Sequence, residues 1–188
     1  DTGYQIPVGH RLRLAVSNAY FPLLWPTPKK TKLTLDLASA CLTIPCHDRS
    51  AALARDLGQG YVCPVNKTKK IRPEKHDRMT QTDATDGRVT TLINDDFGEF
   101  TFLEHNLTVG ESCNETHSIL PDDPHSASSE CRWHSHQSRP GWDINIYTQL
   151  KVTCDADYFY LNSNIEALEN GIQIHQHKWK EKVSRGFS

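Results

Sequence analysis

Long apolar runs and a strong excess of either charge are both absent from this sequence. The chain has 188 residues, a formal net charge of −2 and a pI near 6.6, so it lacks the broad basic field that favours nucleic-acid or anionic membrane partners. No apolar stretch approaches the roughly 20 residues that span a bilayer, and no charged-then-apolar leader opens the chain. We therefore expect one soluble domain over residues 1–188, with no nucleic-acid and no membrane partner.

Closely spaced cysteine pairs are also missing. The cysteines are irregularly spaced and form no CxxC, which argues against a zinc ribbon or a thioredoxin-like redox motif. They are Cys41, Cys46, Cys63, Cys113, Cys131 and Cys154. We predict that most are reduced and packed as small apolar side chains, and we expect no cofactor. Free cysteines and the lack of a leader favour a cytoplasmic location.

Motifs for covalent catalysis are absent as well. The nucleophile elbow of α/β-hydrolases has the pattern Gly-x-Ser-x-Gly, and its nearest approach, residues 110–114, ends in asparagine. A reactive cysteine needs a helix terminus or a positioned histidine to lower its pKa, and the sequence predicts few helices. Asp96-Phe97-Gly98 spells the magnesium-binding triplet of kinases, but without their other motifs it predicts a turn. We predict no catalytic residue in this chain.

What the sequence does have is alternation of period two, which is typical of β-strands buried on one face. Apolar side chains alternate over residues 12–16, 33–37, 89–93, 144–154 and 159–167. Turn-forming residues separate these runs, and Asn170-Gly171 between two strand patterns predicts a two-residue hairpin. Many strands with few helices indicate an all-β sandwich or barrel.

Residues 45–85 depart from this pattern and show little alternation. They include one basic stretch with Lys67, Lys69, Lys70, Arg72 and Lys75. No aromatic residues are interleaved with these charges to stack on nucleic-acid bases. We predict a long, weakly patterned and solvated loop insertion here.

Two pairs of histidines are candidates for a metal site. His134 and His136 lie two residues apart in a strand-like segment, and so do His175 and His177. Side chains at this spacing project from one face of a strand, and two imidazoles on one face can begin a transition-metal site. The alternative interpretation is that these imidazoles are hydrogen-bonded within the protein or exposed.

The N-terminal residues resemble a known domain. Residues 6–17, IPVGHRLRLAVS, lead into the aromatic and proline-rich residues 20–28, YFPLLWPTP. This stretch closely resembles the C-terminal non-catalytic domain of the cocaine-esterase-like (CocE/NonD) serine hydrolases, relatives of the X-Pro dipeptidyl-peptidases. Segments at 95–98, 118–127, 130–133 and 159–179 are similar too. The resemblance extends over nearly the whole chain and is weakest at residues 45–85.

The resemblance implies a jelly-roll β-sandwich of the galactose-binding-like type that lacks its first strands. In this family a Ser-Asp-His triad on a separate, upstream α/β-hydrolase domain cleaves esters, amides or X-Pro dipeptides. The chain would then be a C-terminal accessory domain without activity of its own, and the catalytic domain would be its partner. Because missing strands leave backbone edges unpaired, we also expect the isolated chain to form homo-oligomers.

The aromatic loop is the candidate interface with that catalytic domain. Tyr20, Phe21, Leu24 and Trp25 lie among prolines, and stiff aromatic side chains lose little entropy when they contact a partner. The alternative is that Phe21, Leu24 and Trp25 cap the core of the chain's own sandwich.

Two other functions remain open at this stage. A jelly roll can be a carbohydrate-binding module, with Trp133, Trp142 and Trp179 as stacking platforms. A metal-binding β-sandwich built on the paired histidines is the second alternative. The first requires aromatic side chains exposed together on one face, and the second requires a further ligand from another strand.

Overall fold

The computed structural model describes residues 4–29, 31–46 and 58–186, and the regular structure in these ranges consists of β-strands. The strands are β1 (Thr68–Arg72), β2 (Lys75–Thr82), β3 (Val89–Phe102), β4 (Leu107–Leu120), β5 (Asp123–Arg139), β6 (Trp142–Cys154), β7 (Tyr158–Glu169) and β8 (Ile172–Ser184). The described ranges contain no helix long and apolar enough to traverse a bilayer. The all-β class predicted from the alternation is confirmed.

All the described strands are antiparallel and belong to one open sheet, which is consistent with an all-β sandwich. From β3 to β8, each strand pairs with the next one along the chain. β1 and β2 share one edge of β3, where β1 pairs with residues 99–102 and β2 with residues 89–96. β8 forms the opposite edge and is exposed along its length.

The alternation separates apolar from polar side chains on the two faces of this sheet. Directly paired residues share a face, so the register links Cys113 through Trp133 and Thr148 to Ile165. We call this side the apolar face, and its other members include Val89, Ile93, Phe100, Val109, Ile146, Val152, Leu161 and Val183. The opposite, polar face carries mainly Ser, Thr, Asn, Gln and charged residues.

The core is small and lies on the apolar face. Cys113, Ala127 and Cys154 are its buried apolar residues, and the polar side chains of His117 and Arg185 are buried with them. Many of the surrounding apolar side chains are only half-buried. An antiparallel sheet becomes stable when its apolar face is covered, so this face retains surface that another layer can bury.

Several sequence predictions are confirmed by the strands and turns. The alternation at 89–93, 144–154 and 159–167 falls within β3, β6 and β7. Asn170 and Gly171 connect β7 to β8, and both have positive φ, 49° and 78°. That conformation is the one a type I′ hairpin turn requires.

Two predictions about the N-terminal half are wrong. Residues 12–16 and 33–37 alternate, yet neither segment pairs into the sheet, and Leu12, Leu14, Leu33 and Leu35 are exposed. Alternation makes a segment suitable for a strand, but a strand forms only where a neighbour accepts its backbone hydrogen bonds. Conversely, residues 68–82, predicted as part of the loop insertion, form β1 and β2 because β3 has an edge to pair with. Residues 47–57 of that region lie outside the described residues, and the single-domain assignment stays a prediction.

The Asp96-Phe97-Gly98 segment is also not a turn between strands. It lies inside β3, where the pairing with β4 shifts between Asp96 and Glu99. Gly98 has φ 80° and forms a bulge at the point where β1 ends and β2 begins on the neighbouring edge. The sequence pattern does indicate an irregular backbone at these residues. Because the chain continues to pair with β4 on both sides of it, the irregularity is a bulge within a strand and not a turn between strands.

Candidate functional site

The aromatic and proline-rich loop, residues 20–28, is a closed structure that lies against the sheet. Tyr20 and Leu24 exchange two backbone hydrogen bonds, with N···O distances of 3.1 and 2.8 Å. The Phe21–Pro22 peptide bond between them is cis. Proline fixes its own φ and therefore restricts the segment. The loop consequently presents its side chains in a fixed arrangement.

Phe21 and Trp25 attach this loop to the apolar face. The Trp25 ring meets Phe159 of β7 edge to face with centroids 5.4 Å apart, and Phe21 meets Trp25 at the same distance. On its other side Phe21 lies 6.3 Å from the ring of His117 on β4. Edge-to-face pairs of this kind add stability beyond the area that they bury. The two aromatic rings therefore cover the part of the apolar face that carries His117 and Phe159.

Polar contacts hold the second half of the loop. The Arg185 guanidinium donates hydrogen bonds to the carbonyl oxygens of Pro26 and Asp155, and it lies 4.8 Å from the Phe159 ring centroid. His125 on β5 contacts the Pro28 carbonyl oxygen at 2.8 Å. The loop is thus tied to β5 through His125 and to the residue after β8 through Arg185, independently of its aromatic rings.

The four residues predicted as an interface have two different environments. Phe21 and Trp25 are half-buried against the sheet, whereas Tyr20 and Leu24 are 66% and 65% exposed. Leu23 between them is also exposed. The capping interpretation therefore describes Phe21 and Trp25, while the outer side of the loop retains an exposed apolar surface of Tyr20, Leu23 and Leu24, which we call the outer loop surface.

A groove of about 550 Å³ separates the loop from the β4–β5 turn. Its described lining includes Pro26, Ile119, Pro121, Asp122 and Pro124. Among the described residues that line it there is no serine, cysteine or histidine. The described lining therefore offers apolar walls and carboxylates but no serine or cysteine beside a histidine.

His136 is the centre of a polar cluster on the other face. Its Nδ1 lies 2.9 Å from Glu99 Oε1, and its Nε2 lies 3.0 Å from Asp143 Oδ2. Burial by itself would lower the pKa of His136, but the hydrogen bonds and charges of Asp143 and Glu99 raise it above its ordinary value. His134 belongs to the same network, because its Nε2 lies 2.9 Å from Asn145 Oδ1 and Asn145 Nδ2 donates to Asp143 Oδ1; the His134 ring stacks on Tyr147.

We expect the His136 cluster to make stability depend on pH. Because the folded state raises the pKa of His136, its stabilising contribution is complete below the unfolded pKa of about 6.5 and is lost as pH rises through the folded value. Urea unfolding midpoints measured from about pH 6 to about pH 9 should fall with pH in the parent chain and fall less in His136→Gln. Asp143→Asn should lower the His136 pKa in an NMR titration, and an unchanged pH profile in His136→Gln would contradict the assignment.

The structure does not bring the two predicted histidine pairs together. His134 and His136 lie on the polar face, whereas His175 and His177 on β8 share the apolar face with Ile165. The His177 ring contacts Trp179 and both β8 histidines are exposed. One ion cannot bind all four side chains, because a sheet separates the pairs.

A Ser-His-Glu chain on the apolar face was missed by sequence reasoning. His117 Nδ1 lies 2.8 Å from Ser129 Oγ, and His117 Nε2 lies 2.7 Å from Glu115 Oε2. This order of groups is that of a catalytic triad. However, Ser129 lies within β5 and pairs with both β4 and β6, so its neighbouring backbone amides serve the sheet rather than an oxyanion hole. We interpret the chain as structural.

Two cysteines of the sheet, Cys113 and Cys154, are not poised as nucleophiles. Burial, the neighbouring Cys131 thiol and Glu115 raise the pKa of Cys113 to about 12, and burial also raises the pKa of Cys154. A thiol attacks only as its thiolate. No disulfide joins the six cysteines, and the prediction that most are packed is wrong for Cys41, Cys46 and Cys63, which are exposed.

The four tryptophans do not form one stacking platform. Trp25 contacts Phe159, and Trp133 stacks on Phe97. Trp142 lies under the Arg139 guanidinium, while Trp179 contacts His177. Each ring therefore has a separate partner, whereas carbohydrate binding needs aromatic side chains that are exposed together.

Comparison with known proteins gives one family. No curated protein and no solved structure shows a significant match to the chain. The family match covers the loop, β1 and β2 and ends directly before β3, so β3 to β8 lie beyond it. Residues 1–88 match the model of the X-Pro dipeptidyl-peptidase C-terminal non-catalytic domain, which confirms the family resemblance for this part of the chain.

Proposed function

We propose that the chain is the accessory β-domain of an X-Pro dipeptidyl-peptidase-like serine hydrolase and packs against a separate α/β-hydrolase catalytic domain. The observation that carries this proposal is the family match over residues 1–88, which includes the whole aromatic loop and is described as non-catalytic. Cleavage of an ester, an amide or an X-Pro dipeptide would be carried out by the other domain. The role of this chain is to support that domain and help to shape its substrate cleft.

The outer loop surface is the proposed contact with the catalytic domain. Tyr20, Leu23 and Leu24 are exposed, but the backbone that carries them is fixed by Phe21 and Trp25 on the sheet. Binding to a rigid apolar surface costs little conformational entropy, and aromatic anchors dominate many interfaces. The half-buried apolar face of the sheet offers the partner further apolar surface. In the isolated chain, the same surface would bind a second copy.

We expect the isolated chain to have no hydrolase activity. Hydrolysis of an activated aryl ester, and labelling by a serine-directed fluorophosphonate, should both fail for these 188 residues. The product of the same coding region extended upstream should turn the ester over. Ser129→Ala is the matched control, because Ser129 is the serine that contacts a buried histidine. Hydrolysis by the isolated chain that Ser129→Ala abolishes would overturn the proposal.

The outer loop surface should determine association with the catalytic domain. Leu24→Asp should weaken binding of the separately produced catalytic domain by about 10-fold or more, since interface residues of this kind contribute above 1 kcal/mol. It should also shift the isolated chain toward monomer in light scattering. Ile172→Asp is the control, because Ile172 is equally exposed but lies at the β7–β8 turn. Equal binding by both variants, or a parent chain that is a monodisperse monomer at micromolar concentration, would count against this surface.

A further inference from the structure

Two cysteines and a glutamate converge on the apolar face, at a place that the proposed function does not use. Cys113 and Glu115 lie on β4, and Cys131 lies on β5 directly opposite Glu115. One ligand atom from each of the three lies within 4.8 Å of the other two. Cys113 is buried, whereas Cys131 is half-buried and the Glu115 side chain is 32% exposed. An ion can therefore enter from the Glu115 side.

The separations between these atoms fit a tetrahedral metal ion. Zinc binds sulfur at about 2.3 Å and carboxylate oxygen at about 2.1 Å, so tetrahedral angles place two sulfurs about 3.8 Å apart and sulfur and oxygen about 3.6 Å apart. In the structure Cys113 Sγ lies 3.5 Å from Cys131 Sγ and 3.7 Å from Glu115 Oε1. A disulfide would require the sulfurs at about 2.05 Å. The spacing is that of two ligands on one ion.

The neighbouring side chains orient Glu115 for this role. Its Oε2 accepts a hydrogen bond from His117 Nε2 at 2.7 Å, which leaves Oε1 directed at Cys113. His117 is in turn fixed by Ser129 Oγ at 2.8 Å and is buried. Hydrogen-bonded partners behind a ligand fix its orientation and strengthen binding at metal sites. The Ser-His-Glu chain thus has an explanation that requires no catalysis.

The geometry points to a divalent zinc-type site formed by Cys113 Sγ, Cys131 Sγ and Glu115 Oε1, with water in the fourth position. Thiolate ligands select zinc and cobalt over magnesium and calcium, which prefer oxygen. Binding converts two thiols and one carboxylate into ligands of one ion and releases the two thiol protons to solvent. The ion cross-links β4 and β5 at the small core, so it stabilises the sheet between the aromatic loop and the β3 bulge.

Titration with cobalt and zinc tests this site. The full chain, with Cys41, Cys46 and Cys63 replaced by serine to remove the exposed thiols, is reduced and titrated with Co²⁺. We expect one equivalent to produce thiolate-to-cobalt charge-transfer and tetrahedral d–d absorption, and Zn²⁺ to displace it. Zn²⁺ should also raise the unfolding temperature. A chromophoric chelator in competition then gives the zinc affinity.

Matched variants identify the ligands. His117→Gln should weaken zinc binding about 10- to 100-fold, as loss of a supporting partner does, and Cys131→Ser and Glu115→Gln should weaken it further. Cys154→Ser is the control, because Cys154 is a buried thiol on the same face that contacts carbonyl oxygens instead, and it should bind as the parent does. Circular dichroism confirms that each variant is folded. Unchanged affinity in folded Cys131→Ser, or reduced thiols that take up no cobalt, would overturn the site.

Discussion

Gly98→Ala is expected to destabilise the sheet by about 2–5 kcal/mol, the sum of a left-handed backbone penalty and a steric clash. Gly98 has φ 80°, and a Cβ there would lie 2.9 Å from the Arg72 carbonyl oxygen and 3.0 Å from the Glu74 amide nitrogen. Both are backbone atoms, so the clash is relieved only by moving the chain between β1 and β2. That movement would also separate Arg72 from Asp96, its ion-pair partner.

Gly171→Ala is the matched control for this prediction. Gly171 has nearly the same φ, 78°, but a Cβ at this position would meet nothing within 4 Å. Gly171→Ala should therefore lower the free energy of unfolding by only about 1 kcal/mol, which is the penalty for a left-handed backbone conformation alone. Urea unfolding followed by tryptophan fluorescence measures both variants, and Trp133 reports locally because it stacks on Phe97 beside Gly98. Equal losses in the two variants would show that the close approach of Arg72 and Glu74 does not matter.

The strands that sequence reasoning found are those whose alternation is strongly apolar. β6 and β7 alternate Ile, Leu and Val with polar residues, and the Asn170-Gly171 turn pairs β7 with β8. Once a hairpin turn is fixed, antiparallel pairing of its flanks follows from chain geometry. This half of the sheet could therefore be predicted from local pattern alone.

β4 and β5 were harder to predict because their facing residues are small and polar. Their sequences, LTVGESCNETHSIL and DPHSASSECRWHSHQSR, contain few of the β-branched apolar residues that indicate strands. They are the central strands of the sheet, and the pairing on both sides determines their conformation. The sequence feature that could have indicated the cysteine and glutamate cluster is the spacing Cys113-x-Glu115-x-His117, in which every second residue can bind a metal or a proton. That spacing becomes informative only when β5 places Cys131 opposite Glu115.

The aromatic loop was recognised by family resemblance, but its division into two sides required the structure. The sequence shows five aromatic or aliphatic side chains among prolines and gives no period that separates Tyr20 from Phe21. The backbone pair between Tyr20 and Leu24 turns these two outward. Which side faces the chain's own sheet depends on Phe159 and His117, which are more than 90 residues away in sequence.

Trp25→Ala is expected to lower the free energy of unfolding by about 2–3 kcal/mol, less than the 3–5 kcal/mol of a fully buried tryptophan because Trp25 is half-buried. The indole contacts Phe21 and Phe159, and with Val152 and Leu161 it lines an apolar hollow of about 340 Å³. Removing it exposes these side chains and the core beneath. Leu24→Ala, on the outer side of the same loop, should change stability by less than about 0.5 kcal/mol.

The two loop variants distinguish residues that attach the loop to the sheet from residues that contact the catalytic domain. If Trp25 attaches the loop and Leu24 contacts the partner, Trp25→Ala should lower the urea midpoint and increase hydrogen exchange at the Tyr20 and Leu24 amides, each of which donates to the other residue's carbonyl oxygen. Leu24→Ala should leave both measurements unchanged and weaken only association with the catalytic domain. If Trp25→Ala and Leu24→Ala lose equal stability, Leu24 also attaches the loop to the sheet. Unchanged exchange in Trp25→Ala would mean that Arg185 and His125, through the Pro26 and Pro28 carbonyls, are sufficient to hold the loop on the sheet.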